Sequence, residues 1–565
     1  MATNDEAELL SPEQAEKAWW DAWYTADYSW EGLAKKPWAG FSVTESGHVV
    51  VNDGPLMFNG DNVPWSGEGG SQIKRPATVQ DYWRLDPGSS AIRPDDQVQM
   101  ELRKAETGRT YHVAHYPYKD AELRFTDKAD WDVKEFERLM IRRLSDQSSF
   151  QFAQYNPPVL EPPEMVDYRA QFQGVVLIGK EYELFVQAKI LFKQSCFCEA
   201  VKFGSQYFSD GAYFTNSIFC KSVDFSHIQI NHAALFNFCI FIEGVNFARS
   251  HVSGICNFEG STFLGKSIFN QFQFVASTSF QNAKFLSSSN DPTSGVDFIN
   301  STFSADANFS GVLSQRAVAF LGCRFNSGAN FAGAIFYDLV QFTGATFRST
   351  LNFYKATFRF VSFQGCDFPD SAGFEQAIFL DDVVFANTSF AKTAYFKGAT
   401  FKANINFKDA VFSDVAHFDD IIWPSTPALW TNAFDRALFK SHAVFTGALC
   451  QSFAAFNGAK LERGIRFDPG DEVSNKQTLK KEMPPETSKS RDALLLSLEG
   501  GCRVLKQAMA YASDPLREQE FYRFELKARR AQTRSLKSEK FVSRTYELVS
   551  DYGSSIFRPI WLALG

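Results

Sequence analysis

From Phe192 onward the phenylalanines of this chain stand on a grid. Phe192, Phe203, Phe214, Phe225, Phe236, Phe247, Phe258, Phe269 and Phe280 follow one another at eleven-residue intervals. A second series lies five residues after each: Phe197, Phe208, Phe219, Ile230, Phe241, Val252, Phe263, Phe274 and Phe285, the two departures being apolar as well. Self-similarity at a fixed period marks a repeat architecture, in which each unit buries its apolar face against its neighbours. Alternating steps of five and six leave room for a short extended piece and a tight turn, but not for a helix. The grid also accounts for the composition: Phe occurs 59 times, while Tyr (18) and Trp (11) are ordinary.

The grid pauses over 286–297, where Ser-Ser-Ser-Asn-Asp-Pro reads as an inserted loop, and resumes at Phe298/Phe303. One residue is lost before Phe363/Phe368, and a second insertion carries Pro424-Ser-Thr-Pro427 after Phe418/Trp423. The last units are Phe434/Phe439, Phe445/Cys450, Phe456/Leu461 and Phe467. The residue two before a grid Phe is usually small or β-branched, as in Val201, Ala212, Ala334 and Ala345. Residues two apart on an extended chain point to one side, so Phe and its small partner both face inward. The expected core ladder is Phe203, Phe214, Phe225, Phe236, Phe247, Phe258, Phe269, Phe280, Phe331, Phe342, Phe353, Phe374, Phe385, Phe396 and Phe407, and these residues hold the structure together without doing chemistry.

Phe331-Ala-Gly-Ala-Ile-Phe336 and Phe396-Lys-Gly-Ala-Thr-Phe401 resemble the Phe-centred variants of the pentapeptide-repeat family, and the resemblance covers residues 192–467. It implies a mainly β fold, a right-handed quadrilateral β-solenoid with stacked Phe rings inside. With two pairs to a coil the period is 22 residues and there are about 12 coils.

The flanks lack the grid. Residues 1–150 read as an aromatic-rich mixed domain, with Trp19, Trp20, Trp23, Trp30 and Trp38 as its core, and 151–190 as a linker and solenoid cap. The solenoid occupies 191–467, a linker 468–495 and a basic helical pair 496–545, with helices over Gly501–Ala512 and Pro515–Lys537. Charge is uneven: 1–150 carries a net −9, 191–467 a net of zero and 468–565 a net +3.

Residues 546–565 form a membrane-proximal segment. Phe521-Tyr-Arg-Phe-Glu-Leu-Lys-Ala-Arg-Arg530, Asp551-Tyr-Gly553 and Arg558-Pro559 resemble the junction in membrane-linked, channel-like pentapeptide-repeat proteins, where a transmembrane segment follows. Here only six apolar residues follow before Gly565, too few to span a bilayer. Either a longer chain continues past Gly565, or the protein touches the membrane peripherally at most. Candidate membrane or partner contacts are Arg529, Arg530, Arg534, Lys537, Lys540, Arg558, Trp561 and Trp430. The acidic N-terminus is unlike a secretory signal, so the expected location is cytoplasmic, at the inner face of the membrane.

No catalytic, cofactor or metal site is expected. The close pair His112/His115 falls on opposite faces of an extended Thr110–Tyr116, which argues against a shared metal. Asp381-Asp382 and Asp419-Asp420 follow grid phenylalanines at turns, where Asp is ordinary. The scattered cysteines read as small apolar side chains in a reducing compartment. The expected function is a non-enzymatic scaffold, membrane-associated or the cytoplasmic part of a channel-like protein, with a protein partner or an anionic membrane reached through 517–565. The alternative, a topoisomerase-protecting DNA mimic, needs a strongly negative rod, and the neutral solenoid makes nucleic-acid mimicry or binding the weaker expectation.

Overall fold

The computed structural model describes residues 12–43, 49–51, 75–84, 93–136, 139–140, 170–178, 190–203, 205, 207–208, 211–286, 295–424, 432–445, 453–467, 480, 483–484, 490–532 and 536–550. The chain divides into two compact units, residues 1–294 and 295–565. In both, the Phe grid becomes a parallel-strand β-solenoid, about 11 turns in all. Each 22-residue coil holds four short strands. In the first unit Val201–Lys202, Tyr207–Phe208, Ala212–Tyr213 and Ile218–Phe219 pair in parallel with Val223–Asp224, Gln229–Ile230, Ala234–Leu235 and Ile240–Phe241. In the second, Val383–Val384, Ser389–Phe390 and Ala394–Tyr395 pair likewise with Ile405–Asn406, Val411–Phe412 and Ala416–His417.

Turn chemistry sets the eleven-residue step. The residue two after each first-series Phe lies in the left-handed region: Gln194, Ser205, Asn216, His227, Phe238, Arg249, Gly260, Gln271 and Asn282 in one unit, and Asn300, Gly311, Gly322, Gly333 and Gly344 at the start of the other. Glycine adopts that conformation freely and Asn tolerates it. The following residue fills the small inward slot, as do the fully buried Ala334, Ala356, Ala377 and Ala399. Thus Gly-Ala within the repeat is a turn residue followed by a core residue. Where the slot holds Ser217, Ser250, Cys239, Cys323 or Cys366, the hydroxyl or thiol donates to a Phe carbonyl of the preceding coil. Burial pushes the Cys323 and Cys366 thiols up to about 12, so these are packing residues.

Inside, like rings stack coil upon coil. Phe385 lies flat between Phe363 and Phe407, with centroids 4.9 and 4.7 Å away, and meets Phe374 and Phe396 edge-on at 5.3 and 5.5 Å. Both arrangements suit the ring quadrupole. The single residue lost before Phe363 is absorbed by a bulge. Phe336 faces Phe358 and Leu339 faces Phe360, so Tyr337 and Asp338 together oppose Arg359.

The first unit closes the start of the ladder. Ala170–Gln173 already pairs in parallel with Ile190–Lys193, so the coils begin before residue 191. Helix Pro12–Ala26 lays Trp19, Trp20 and Trp23 over them. Trp19 Nε1 donates to the Asn216 carbonyl at 2.7 Å, Trp23 Nε1 to that of Gly174 at 3.0 Å, and Tyr28 to Gln194 Oε1 at 2.9 Å. The tryptophan cluster is therefore a core shared between the N-terminal elements and the first coils. Gly174, Gln194 and Asn216 hold the same left-handed turn position in successive coils, so the helix runs along one corner of the stack.

In the second unit, among the described residues, the coils are followed by helices Arg491–Tyr511, Pro515–Ala531 and Lys537–Ser550. The first begins ten residues before the expected Gly501 start and runs through Gly500-Gly501. Glycine is required there because a Cβ on Gly501 would lie 1.8 Å from the Phe453 carbonyl oxygen. The second ends at Ala531, short of the expected Lys537, and a third helix takes its place beyond.

Candidate functional site

The C-terminal helices are positioned by packing at one end and by charge at the other. The Phe453 ring meets Phe521 edge-on at 5.3 Å and stacks on Phe524 at 5.7 Å, fixing helix Pro515–Ala531. Asp514 caps that helix by accepting from the Arg517 N–H, with Pro515 in its first turn. Glu525 ties it to Arg503 and Lys506 of helix Arg491–Tyr511 at 2.9 and 2.6 Å, and Glu499 holds Arg503 from within that helix at 2.7 Å.

Helix Lys537–Ser550 is attached differently. Glu547 accepts from Arg530 at 2.6 Å and lies 3.4 Å from the Lys527 ammonium, while Arg529 reaches Glu539 at 3.5 Å. Burial works to raise the Glu547 carboxyl, but the hydrogen bond and charge of Arg530, with Lys527 behind it, hold it below the usual glutamate value. The apolar residues of the same helix point away from the protein: Phe541 is 72% exposed, Leu548 71% and Val542 65%, with Leu536 just before the helix also exposed. In a helix that packs on a globular core the apolar stripe faces the core. Here the charged side faces the protein, and the apolar side faces solvent.

Of the residues expected to make contacts, Arg529 and Arg530 serve as the inner partners of Glu539 and Glu547, and Lys537 and Lys540 lie on the helix itself, Lys537 exposed and Lys540 half-buried. Arg534, Arg558, Trp561 and Trp430 lie outside the described residues, as do most of the two grid insertions. Sequence reasoning named the basic residues and missed Phe541, Val542 and Leu548. The signal was present in Phe541/Thr545/Leu548 and Val542/Tyr546/Val549, two helical stripes spaced i, i+4 and i+7. Among the described residues no helix is long and apolar enough to cross a membrane.

The groups weighed for chemistry have structural partners. His112 is 2.8 Å from Glu101, and His115, at the end of a 3₁₀ turn rather than in the expected extended run, is 2.9 Å from the Gln173 carbonyl. Asp381 lies 3.4 Å from Arg359, Asp382 accepts from Asn404, and Asp419 is 3.0 Å from His417. Asp420 occupies one of the left-handed turn positions. Among the described residues no group of three or more His, Cys, Asp or Glu is arranged to hold a metal ion.

A family model for pentapeptide repeats (9 copies) matches residues 331–375 and 374–422. No curated protein matches the chain. Among solved structures, the chain is similar to HetL, a pentapeptide repeat protein involved in heterocyst differentiation regulation from the cyanobacterium Nostoc sp. strain PCC 7120. The identity is 12%, the match covers 43% of this chain and 87% of that one, and the TM-score is 0.16. The fold stands on the ladders and turns themselves. Over residues 331–422 the family model thus falls on the Phe-centred repeats that build the parallel coils.

Proposed function

We propose that the chain is a non-enzymatic interaction scaffold that rests on an anionic membrane surface, at the cytoplasmic face, through helix Lys537–Ser550. The observation that carries this reading is the outward apolar side of that helix, Phe541, Val542 and Leu548, with Lys537, Lys540 and Arg544 on the adjoining sector. An amphipathic helix of this kind lies in the plane of the interface, with its apolar side chains among the acyl chains and its basic ones near the headgroups. Moving the exposed parts of three such side chains out of water is worth about 3–6 kcal/mol. Each basic residue near an anionic surface adds about 1 kcal/mol. The sum supports reversible binding, not permanent anchoring.

The DNA-mimic alternative has less behind it. A surface imitating a duplex needs rows of uncompensated negative charge. On these coils Glu243, Asp370, Asp381 and Asp409 pair with Lys221, Lys392, Arg359 and Arg436.

Co-sedimentation with vesicles of phosphatidylcholine, with and without phosphatidylserine, at low and high salt tests the proposal. Salt-sensitive binding to the anionic vesicles is expected, lost in F541D/L548D. Failure of the wild-type chain to bind, or undiminished binding by the variant, would refute it.

A further inference from the structure

The membrane-facing setting of helix Lys537–Ser550 needs a cause, because a free amphipathic helix has no reason to turn its apolar side away from the protein that carries it. At about 100° per residue, Glu547 sits roughly 100–140° around the helix from Phe541, Val542 and Leu548. Its carboxylate is held by Arg530 at 2.6 Å and faces Lys527 at 3.4 Å, both on helix Pro515–Ala531. These three side chains are each less than a third exposed, so their attraction is screened less than that of an open surface pair. Arg529 and Glu539 make a second, more open contact between the same helices. Helix Pro515–Ala531 is in turn fixed by Phe521 and Phe524 against Phe453, so the clamp refers the orientation of the last helix to the packed end of the coils.

We infer that Glu547, clamped by Arg530 and Lys527, is the positioning residue that presets helix Lys537–Ser550 with its apolar side outward for an anionic bilayer. The inference rests on the membrane reading above and adds to it a residue that touches no lipid. With the clamp closed, Phe541, Val542 and Leu548 are presented together, and Lys540, Arg544 and Lys537 occupy the sector between Glu547 and Leu548. Without it the helix must be oriented at the moment of binding, and that ordering is subtracted from the affinity.

The full chain on phosphatidylcholine–phosphatidylserine vesicles gives a test in which electrostatics and positioning predict opposite signs. E547R makes the protein more positive, so simple attraction to the anionic surface predicts tighter binding. Loss of the clamp, with Arg530 and Lys527 now repelling position 547, predicts binding weaker by about tenfold or more. E547Q is expected to move in the same direction by a smaller factor. The exchange R530E/E547R restores an opposite pair at the wild-type net charge, and is expected to recover binding to within about threefold of wild type. Tighter or unchanged binding by E547R, or no recovery in the exchange, overturns the inference. Undiminished binding by F541D/L548D overturns the membrane reading itself. If that variant loses binding while E547R does not, the clamp alone fails.

Discussion

Replacing Phe385 by alanine probes how a solenoid of stacked rings distributes its stability. The ring has flat neighbours at 4.9 and 4.7 Å and edge contacts at 5.3 and 5.5 Å, and it is fully buried. Phe-to-Ala changes in packed cores cost about 3–5 kcal/mol. Stacked and edge-on aromatic pairs contribute about 0.5–1.5 kcal/mol beyond burial. A loss near 4 kcal/mol is the expected size, because parallel backbone ladders on both sides limit collapse into the void. In a one-dimensional repeat that loss falls on one coil and its two interfaces. The reporters are the backbone amides of Phe363, Phe385 and Phe407, which donate to the carbonyls of Val384, Asn406 and Ala433 at 2.7 Å. Native-state hydrogen exchange at these amides should accelerate by about a thousandfold, at about 1.36 kcal/mol per decade. F385L keeps most of the volume and loses the ring contacts, so about 1–2 kcal/mol is expected. F238A, which removes an exposed ring at a turn, should change exchange little. A rise below tenfold in F385A, or an equal rise at the distant Phe309, would refute the argument that each coil is held chiefly by its nearest neighbours.

Other positions test the turns, the closing helices and the buried charge. Gly344 has φ +69° and open space around it, so G344A meets backbone strain alone and should lose about 1 kcal/mol in urea unfolding, with G344N closer to wild type. At the end of the second unit, a Cβ on Gly501 would press into the backbone of Phe453, whereas one on Gly500 meets the movable Asn457 side chain. G501A should therefore destabilise by about 2–3 kcal/mol although alanine favours a helix, and G500A should be near neutral; equal thermal shifts would contradict this packing. In the first unit, burial pushes the Lys128 amine down to about 7. The unfolded amine still holds its proton up to about pH 10.4, so the unfolded state binds more protons above pH 7 and stability rises with pH there, by up to about 1.4 kcal/mol per unit. Burial raises the Cys196 and Cys198 thiols, and the Cys196 contact together with burial raises that of Cys220; all three oppose that rise once unfolded thiols ionise above about pH 8.5. Denaturant titrations from pH 7 to 8.5 should show the positive slope in wild type and its loss in K128M.

The repeats were legible because each slot admits so few solutions. A Phe every eleven residues, a small residue two before it and Gly or Asn two after it are local requirements, and sequence displays local requirements directly. The left-handed position shows how much was latent. The motif Phe-x-Gly-Ala exposes it at Gly333, Gly344, Gly398 and Gly458 of the second unit, yet Gln194, Arg249 and Phe238 occupy the same conformation, and only the backbone reveals them as equivalents. The cysteines divide on the same logic. Cys239, Cys323 and Cys366 stand two before a grid residue, in the inward slot, whereas Cys196, Cys198 and Cys220 stand beside grid phenylalanines on the outer side of their coils. The sequence offsets separate the two sets; the reason the outer set is sheltered does not appear there, because it lies in Lys128 and the N-terminal elements, distant along the chain.

The orientation of the last helix lies furthest from what a sequence displays. Its amphipathic spacing is local and could be read, but periodicity states only that one side is apolar. Which side meets the protein is decided by partners seventeen and twenty residues away, Arg530 and Lys527, acting on Glu547. A helical stripe is ordinarily assigned to the core because burial in water rewards it, and that assignment would place Phe541, Val542 and Leu548 inside. The ion pairs give the opposite assignment, and that inversion separates a helix that closes a solenoid from one that presents a surface. The two Arg–Glu contacts hold the helix where its apolar side has no protein to cover it, so the side that the repeat architecture leaves unused becomes the one available for binding.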